Sequence, residues 1–134
     1  MRRFLLLTAV ALLCASVSSA QDPVKVDAKH YKVVSENDKV RILKIHYGAK
    51  EKSVMHEHPD AVAIFLTDAH TKFNMPDGTS QEENGKAGDS RYMAGGKHNP
   101  ENLGDKAFDA ILVELKGKAA APAAPAKTPA KKKG

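Results

Sequence analysis

The middle of the chain alternates short apolar runs with turn-forming residues, and none of its windows has the periodicity of a helix. The runs are rich in Val, Ile, Leu, Phe and Tyr, a composition typical of β-strands. We expect nine strands, at residues 31–35, 40–47, 53–58, 61–67, 71–75, 79–83, 91–93, 98–102 and 107–115. Pro76-Asp77-Gly78 between two runs gives the clearest hairpin signal. Short, regularly spaced strands without helices predict an all-β fold, either an antiparallel sandwich or one small antiparallel barrel.

The first twenty residues have the three zones of a secretory signal peptide. Arg2 and Arg3 precede an apolar run at residues 4–15, and small residues follow it as far as Ala20. Because the run is shorter than the roughly 20 residues that cross a bilayer, we predict cleavage after Ala20 and a secreted or periplasmic location. Cys14 lies in the run, so lipid anchoring is the minor alternative. It is the single cysteine of the chain, so no disulfide can stabilise the domain that follows.

Residues 117–134 consist almost only of Ala, Pro and Lys and predict a disordered tail after a domain at residues 21–116. The tail carries five of the 21 basic residues and the signal peptide carries two. The domain therefore has 14 basic against 16 acidic residues, so the formal charge of +5 does not describe it. We expect no nucleic-acid partner. The lysines at 131–133 predict electrostatic contact with anionic envelope components, the alternative being a solubilising spacer.

Six histidines occur in the chain, and only His56 and His58 have a spacing with chemical meaning. On a strand, alternation points both imidazoles to one face and Glu57 to the other. Two imidazoles on one face can bind one metal ion, although the same pattern also occurs on solvated strands, so a third ligand is needed. The histidines at 30, 46 and 70 lie near strand ends, and we expect them to be solvated or to serve packing.

From residue 33 to residue 116 the chain resembles the cupin superfamily, in particular its small single-domain members. The first cupin motif appears as Gly48, a spacer and His56-Glu57-His58, followed by an apolar strand. The second appears as Gly88, a spacer and His98, with Asn102 four residues later. The resemblance implies a single antiparallel jelly-roll barrel and places His56, His58 and His98 on the three histidine ligands of one metal. It gives Asn102 a structural role.

Two departures from the cupin pattern affect the expected site. The acidic ligand of the family should fall at Val62 or Ala63, both apolar, and Ala94 replaces the proline of the second motif. Glu57 should face away and Asp60 follows a proline turn, so we expect neither to replace the acid. Three neutral imidazoles still suffice for Fe, Zn, Ni or Cu, whereas affinity for a harder cation such as Mn should weaken. A shared metal requires the three nitrogens within about 3–4 Å of one another.

The resemblance implies an exported cupin that binds one divalent transition metal (Fe, Zn, Ni, Cu or Mn) and acts on or recognises a small molecule. If the protein is an enzyme, it is a metal-dependent oxidoreductase of the dioxygenase kind or an isomerase. No catalytic residue can be assigned, and Arg91 and Lys97 are only weak candidates for holding a carboxylate. Cupins commonly pair barrel edges, so we also expect a homodimer.

The alternative is a non-catalytic envelope protein that binds a ligand or a metal. Copper handling belongs to this alternative, because Met55 adjoins the histidine pair and thioethers favour Cu(I). Diverging histidines in a barrel lined by Val62, Ile64 and Phe65 would favour binding alone, whereas histidines that converge would favour catalysis.

Overall fold

The computed structural model describes residues 21–117. The predicted signal peptide and nearly all of the predicted tail lie outside the described residues, and their assignments remain predictions. The described part contains a single-turn helix and nine strands: α1 Pro23–Val26, β1 Tyr31–Glu36, β2 Val40–Tyr47, β3 His56–His58, β4 Ala61–Phe65, β5 Ala69–Asn74, β6 Ser80–Gly85, β7 Ser90–Met93, β8 Gly96–Asn102 and β9 Phe108–Leu115. Within that part, no helix is long and apolar enough to cross a membrane.

The strands form two antiparallel sheets that face each other as a jelly-roll barrel. One sheet has the order β1-β2-β9-β4-β7 and the other the order β3-β8-β5-β6. The all-β antiparallel barrel is thus confirmed, and each predicted strand has a counterpart. The prediction for 53–58 was too long, because only His56–His58 pairs with β8. The residues before it follow an irregular path with one isolated bridge, between Lys52 and Glu101.

The predicted hairpin joins β5 to β6. The pairing runs to Asn74 opposite Ser80, and the backbone nitrogen of Met75 donates to the Thr79 carbonyl at 2.9 Å. Gly78 has φ +84°, in the left-handed region that glycine enters without steric cost.

Helix α1 was not predicted, since a single turn is too short to show a hydrophobic period. Its start follows ordinary capping chemistry nonetheless. Asp22 is the N-cap and accepts a hydrogen bond from the Val24 nitrogen at 2.9 Å, and Pro23 occupies the first turn, where a missing N–H costs nothing. The helix places Asp22 beside the barrel, where it joins the site described below.

The core fills the space between the sheets with alternate residues of the central strands. On β4, Ala61, Ala63 and Phe65 are buried, whereas Val62 and Ile64 are only half-buried. The barrel interior is therefore lined by Ala61, Ala63 and Phe65 of β4, and not by Val62 and Ile64. The antiparallel pairing of β4 with β9 fixes this register, and a slip of one residue would exchange the two faces.

The inward face of β9 continues the same alternation, but its last member is charged. Phe108, Ala110 and Leu112 are buried apolar residues, and Glu114 follows them with a relative exposure of 1%. A carboxylate at such a position needs hydrogen-bonding partners inside the barrel.

Candidate metal centre

The three predicted ligands lie together on two neighbouring strands. His56 and His58 are on β3 and His98 is on β8, with His56 directly opposite His98 in the antiparallel register. Alternation brings His58 to the same face as His56, as the sequence predicted. The three ring centroids are 4.8 to 5.3 Å apart. The histidines therefore converge on one point inside the barrel.

The candidate ligand nitrogens all lie within 4.8 Å of one another. Two nitrogens that each lie about 2.0–2.2 Å from one ion are at most about 4.4 Å apart. The cluster is thus slightly wider than the expected 3–4 Å.

His56 is oriented by its backbone surroundings. Its Nδ1 lies 2.8 Å from the carbonyl oxygen of Val54, which can only accept, so Nδ1 carries the proton and Nε2 carries a lone pair. That Nε2 atom is buried and has no hydrogen-bond partner among the described residues. An unsatisfied buried polar atom costs about 1–3 kcal/mol. A metal ion bound at Nε2 would remove this penalty, so the donor set fits a transition metal.

His58 is oriented by the buried carboxylate of β9. Its Nδ1 donates to Glu114 Oε1 at 2.6 Å, and Arg41 donates from Nε to Glu114 Oε2 at 2.5 Å. Arg41 also donates to Asp22 Oδ2 at 2.5 Å. This chain leaves His58 Nε2 as the nitrogen available to a metal. A carboxylate behind a ligating histidine fixes the ring and raises its basicity.

Glu114 was missed by the sequence analysis, and so was Arg41. Both are charged residues within apolar strands, and Arg41 stands opposite Glu114 in the pairing of β2 with β9. The sequence signal that could have identified Glu114 is a glutamate at an inward-facing position of the apolar strand β9. Burial raises the pKa of Glu114, but hydrogen bonds from His58 and Arg41 outweigh it and hold that pKa below its ordinary value.

Two of the three imidazoles are neutral at ordinary pH. Burial lowers the pKa of His56 to about 4, and the neighbouring His58 acts in the same direction. Burial and the same repulsion within the cluster lower the pKa of His98 to about 3. A neutral imidazole offers its lone pair to a metal without competition from a proton. His56 and His98 are therefore ready to bind at neutral pH.

Of the two positions at which the resemblance places the acidic ligand, Val62 is half-buried and Ala63 faces the barrel cavity. Ala63 is buried and lines the barrel cavity. Glu57 instead lies 3.8 Å from Lys97, and Asp60 accepts from the Gly95 nitrogen at 2.7 Å. As expected, neither acid replaces the missing ligand.

A cavity of about 60 Å³ lies next to the histidines. Its wall is mostly apolar, and it also carries Tyr31, Tyr47 and Thr71 beside His58 and His98. The main apolar contributors are Ile45, Phe65, Phe73, Met93, Phe108 and Leu112. Neither Arg91 nor Lys97 lines the cavity, and no lysine or arginine among the described residues does. Met93 contributes to the wall and Met55 does not.

The remaining histidines lie apart from the centre, as expected. His46 and His70 are exposed and pair with Asp109 and Glu82. His30 is buried: its ring stacks on Tyr47 with a centroid separation of 4.2 Å, its Nδ1 lies 2.7 Å from Asp27 Oδ2 and its Nε2 lies 3.1 Å from Glu51 Oε2.

Asn102 has the structural role that the resemblance implied. Its Nδ2 donates to the carbonyls of Gly48 and Lys106, each at 2.8 Å, and its Oδ1 accepts from the Gly104 nitrogen at 2.9 Å. These bonds join the loops at the two ends of the histidine-bearing segment.

No family model and no curated protein sequence matches the chain. Solved structures do match it. A cupin domain from Bordetella pertussis Tohama I is 24% identical, with a TM-score of 0.60 over 65% of this chain and 92% of that one. An uncharacterized conserved protein with a double-stranded β-helix domain from Klebsiella pneumoniae subsp. pneumoniae MGH 78578 is 22% identical, with a TM-score of 0.53 over 67% and 78%.

A third solved structure has a similar fold. An RmlC-like cupin family protein with a double-stranded β-helix fold from Methanocaldococcus jannaschii is 15% identical, with a TM-score of 0.52 over 63% of this chain and 77% of that one. The fold of this protein is therefore that of the cupin superfamily.

Proposed function

We propose that the protein binds one divalent transition metal through His56, His58 and His98 and uses it to act on or recognise a small molecule. The observation that carries the proposal is the buried Nε2 of His56, which has no partner among the described residues although it points into a cluster of two further imidazoles. Three nitrogen ligands favour Zn, Fe, Ni or Cu over Mn.

When bound, such a metal supplies Lewis acidity or a centre for oxygen chemistry. The protein's own residues would supply the surroundings. Glu114 holds His58 in the ligating orientation, and the apolar wall excludes bulk water from the reacting group. We propose oxidoreductase chemistry of the dioxygenase kind, or isomerisation, as the resemblance to cupins implies.

The second candidate is a non-catalytic envelope protein that binds a ligand or a metal. The observation that favours it is Ala63 at the position of the acidic ligand, since it leaves the metal with fewer protein ligands. Three further proposals apply to both candidates. The protein is exported after cleavage at Ala20, it forms a homodimer, and its tail lysines contact anionic envelope components.

Metal analysis of the purified protein tests the shared part of both candidates. Wild type should take up one equivalent of Zn²⁺, Fe²⁺, Ni²⁺ or Cu²⁺, with Mn²⁺ weaker. His58→Ala should weaken binding by at least about 100-fold, since it removes one of three ligands. His46→Ala is the matched control, because His46 is exposed and remote from the cluster, and it should bind like wild type.

Two results would overturn the proposal. One is wild-type protein that is metal-free and shows no affinity on titration with any of these ions. The other is His58→Ala protein that remains folded by circular dichroism and binds metal as tightly as the His46→Ala control.

A further inference from the structure

Residues 21–27, here called the α1 segment, lie against the strand that carries two of the candidate metal ligands. Helix α1 contacts β1 and β3, and β3 is an edge strand of only three residues. The backbone nitrogen of Glu57, between the two histidines, donates to the Gln21 carbonyl at 3.0 Å. The α1 segment therefore pairs with the edge of β3 that faces away from β8.

The start of α1 is linked to His58 by a chain of charged side chains. Asp22, the N-cap, accepts from Arg41 at 2.5 Å, and Arg41 also donates to Glu114. Glu114 in turn accepts from His58 Nδ1 at 2.6 Å. Hydrogen bonds between charged groups are strong and directional, and burial strengthens them. The position of Asp22 therefore bears on the orientation of His58.

The end of α1 is linked to His56 through one hydroxyl group. Asp27, the C-cap, accepts a hydrogen bond from the Ser53 hydroxyl. A hydroxyl has a single hydrogen, so the Ser53 oxygen faces His56 Nδ1 as an acceptor, at 3.3 Å. His56 Nδ1 carries a hydrogen, because it also contacts the Val54 carbonyl. The direction of donation thus runs from His56 to Ser53 to Asp27.

Asp27 is itself fixed by several contacts. Its two carboxylate oxygens lie 2.8 and 2.7 Å from His30 Nδ1, and its backbone carbonyl accepts from the nitrogens of His30 and Tyr31, each at 3.1 Å. The side chains of Asp27 and His30 are only 9% and 5% exposed, and Ser53 is buried as well. The contact between Asp27 and Ser53 is therefore shielded from water.

The same short segment thus contacts both histidines of β3 indirectly, one from each end of α1. We propose that Asp22 and Asp27 are positioning residues for the metal centre, the first acting through Arg41 and Glu114 and the second through Ser53. Docking of the α1 segment and metal binding then strengthen each other. The inference rests on the proposed metal site and identifies a coupling that regulates it. Such coupling is reciprocal, so the factor by which docking raises metal affinity is also the factor by which metal favours docking.

The remaining contacts of the α1 segment are few enough for docking to be a separate event. Pro23 is fully buried and Val24 packs against the core, whereas Val26 is 40% exposed. A single helical turn is not stable by itself in water, so α1 keeps its shape only while it is docked. Segments with few buried apolar contacts open more readily than a core does. Opening of α1 can therefore be measured apart from unfolding of the barrel.

Hydrogen exchange of the purified protein, with and without metal, tests the coupling. The metal is whichever of Zn²⁺, Fe²⁺, Ni²⁺ and Cu²⁺ the wild type binds most tightly. The reporter amides are those of Lys25, Val26 and Asp27, which donate within the helical turn. The reference amides are those of β6, which two strands separate from β3. Metal should slow exchange in α1 about 10- to 100-fold more than in β6.

Three exchanges of aspartate for asparagine test the two positioning residues. Asp22→Asn keeps the N-cap, because Asn caps a helix as well as Asp does, but removes the charge that pairs with Arg41. Asp27→Asn removes the charge that accepts from Ser53. Each should weaken metal binding about 3- to 10-fold, the effect of one hydrogen bond. Asp38→Asn is the matched control, because the Asp38 side chain is 77% exposed, and it should bind metal like wild type.

The outcomes distinguish this inference from the metal site itself. Metal that slows exchange equally in α1 and β6 overturns the inference and leaves the metal site standing. Folded Asp22→Asn and Asp27→Asn proteins that bind metal as tightly as Asp38→Asn overturn it too. If these variants do not fold, the exchange measurement on wild type still decides. Failure of wild type to take up any of the four ions overturns the metal site and the inference together.

Discussion

The buried carboxylate of Glu114 is the feature whose removal should disturb both the fold and the site. Glu114→Gln keeps the shape but replaces one carboxylate oxygen by an NH2 group, which cannot accept, so the hydrogen bond from either His58 or Arg41 is lost. A hydrogen bond to a charged group is worth about 1.5–3 kcal/mol. Arg41 keeps Asp22 as a partner, so the loss stays below the cost of a fully unpaired buried charge.

We therefore expect Glu114→Gln to lower the free energy of unfolding by about 2–4 kcal/mol and Tm by about 8–30 °C. Loss of the carboxylate behind a ligating histidine should also weaken metal binding by about 10- to 100-fold. Urea denaturation of metal-free protein measures the first effect and competitive titration with a chelator measures the second.

The matched control is Glu82→Gln, which breaks a glutamate–histidine pair of the same kind on the surface. Glu82 Oε2 lies 3.1 Å from His70 Nε2, and both side chains are largely exposed. Surface pairs contribute about 0–1 kcal/mol, so this variant should resemble wild type in both assays. Equal stability and equal metal affinity of the two variants would refute the reasoning about Glu114.

The neutral histidines and a glycine behind the site allow two further tests. The pKa values of His56 and His98 are about 4 and about 3 in the folded protein, so between about pH 6.5 and 4 the unfolded chain binds more protons. As pH falls through that window, the free energy of unfolding of the metal-free protein should decrease by up to about 1.4 kcal/mol per pH unit for each histidine. Urea midpoints that stay constant from pH 7 to pH 5 would contradict this expectation. A Cβ on Gly95 would lie 2.9 Å from the Asp60 nitrogen, whereas one on Gly96 would meet nothing within 4 Å. Gly95→Ala should lower the free energy of unfolding, measured by calorimetry, by about 1–3 kcal/mol. If Gly95→Ala and Gly96→Ala have the same Tm, the close contact at Gly95 is contradicted.

The strands were predictable because their signal is local. The bounds of β2 were predicted without error, and β4 and β9 were predicted within two residues, since each is an apolar run that ends at turn residues. The prediction for β3 was too long, and the sequence left open which face of β4 is buried. Both features depend on hydrogen bonds to distant strands, and a short window of sequence does not show which partner a strand will meet.

The residues of the candidate site also include some that the sequence could predict and some that it could not. His56 and His58 could be paired from alternation alone, and His98 was added by the resemblance to cupins. The direct pairing of His56 with His98 arises only when β3 lies against β8. Glu114 and Arg41 could not be assigned, because 56 residues separate Glu114 from His58 and 73 separate it from Arg41.

By itself, the sequence determined an all-β barrel, a near-neutral domain between two distinctive ends, and two imidazoles on one face of a strand. Each of these follows from composition or from a period of two, which needs no knowledge of distant contacts. The tertiary structure alone decided that a buried glutamate orients one ligand and that His56 lies directly opposite His98. Hydrogen bonds of that kind depend on distances of about 3 Å between residues far apart in the chain, and only the packed barrel sets those distances.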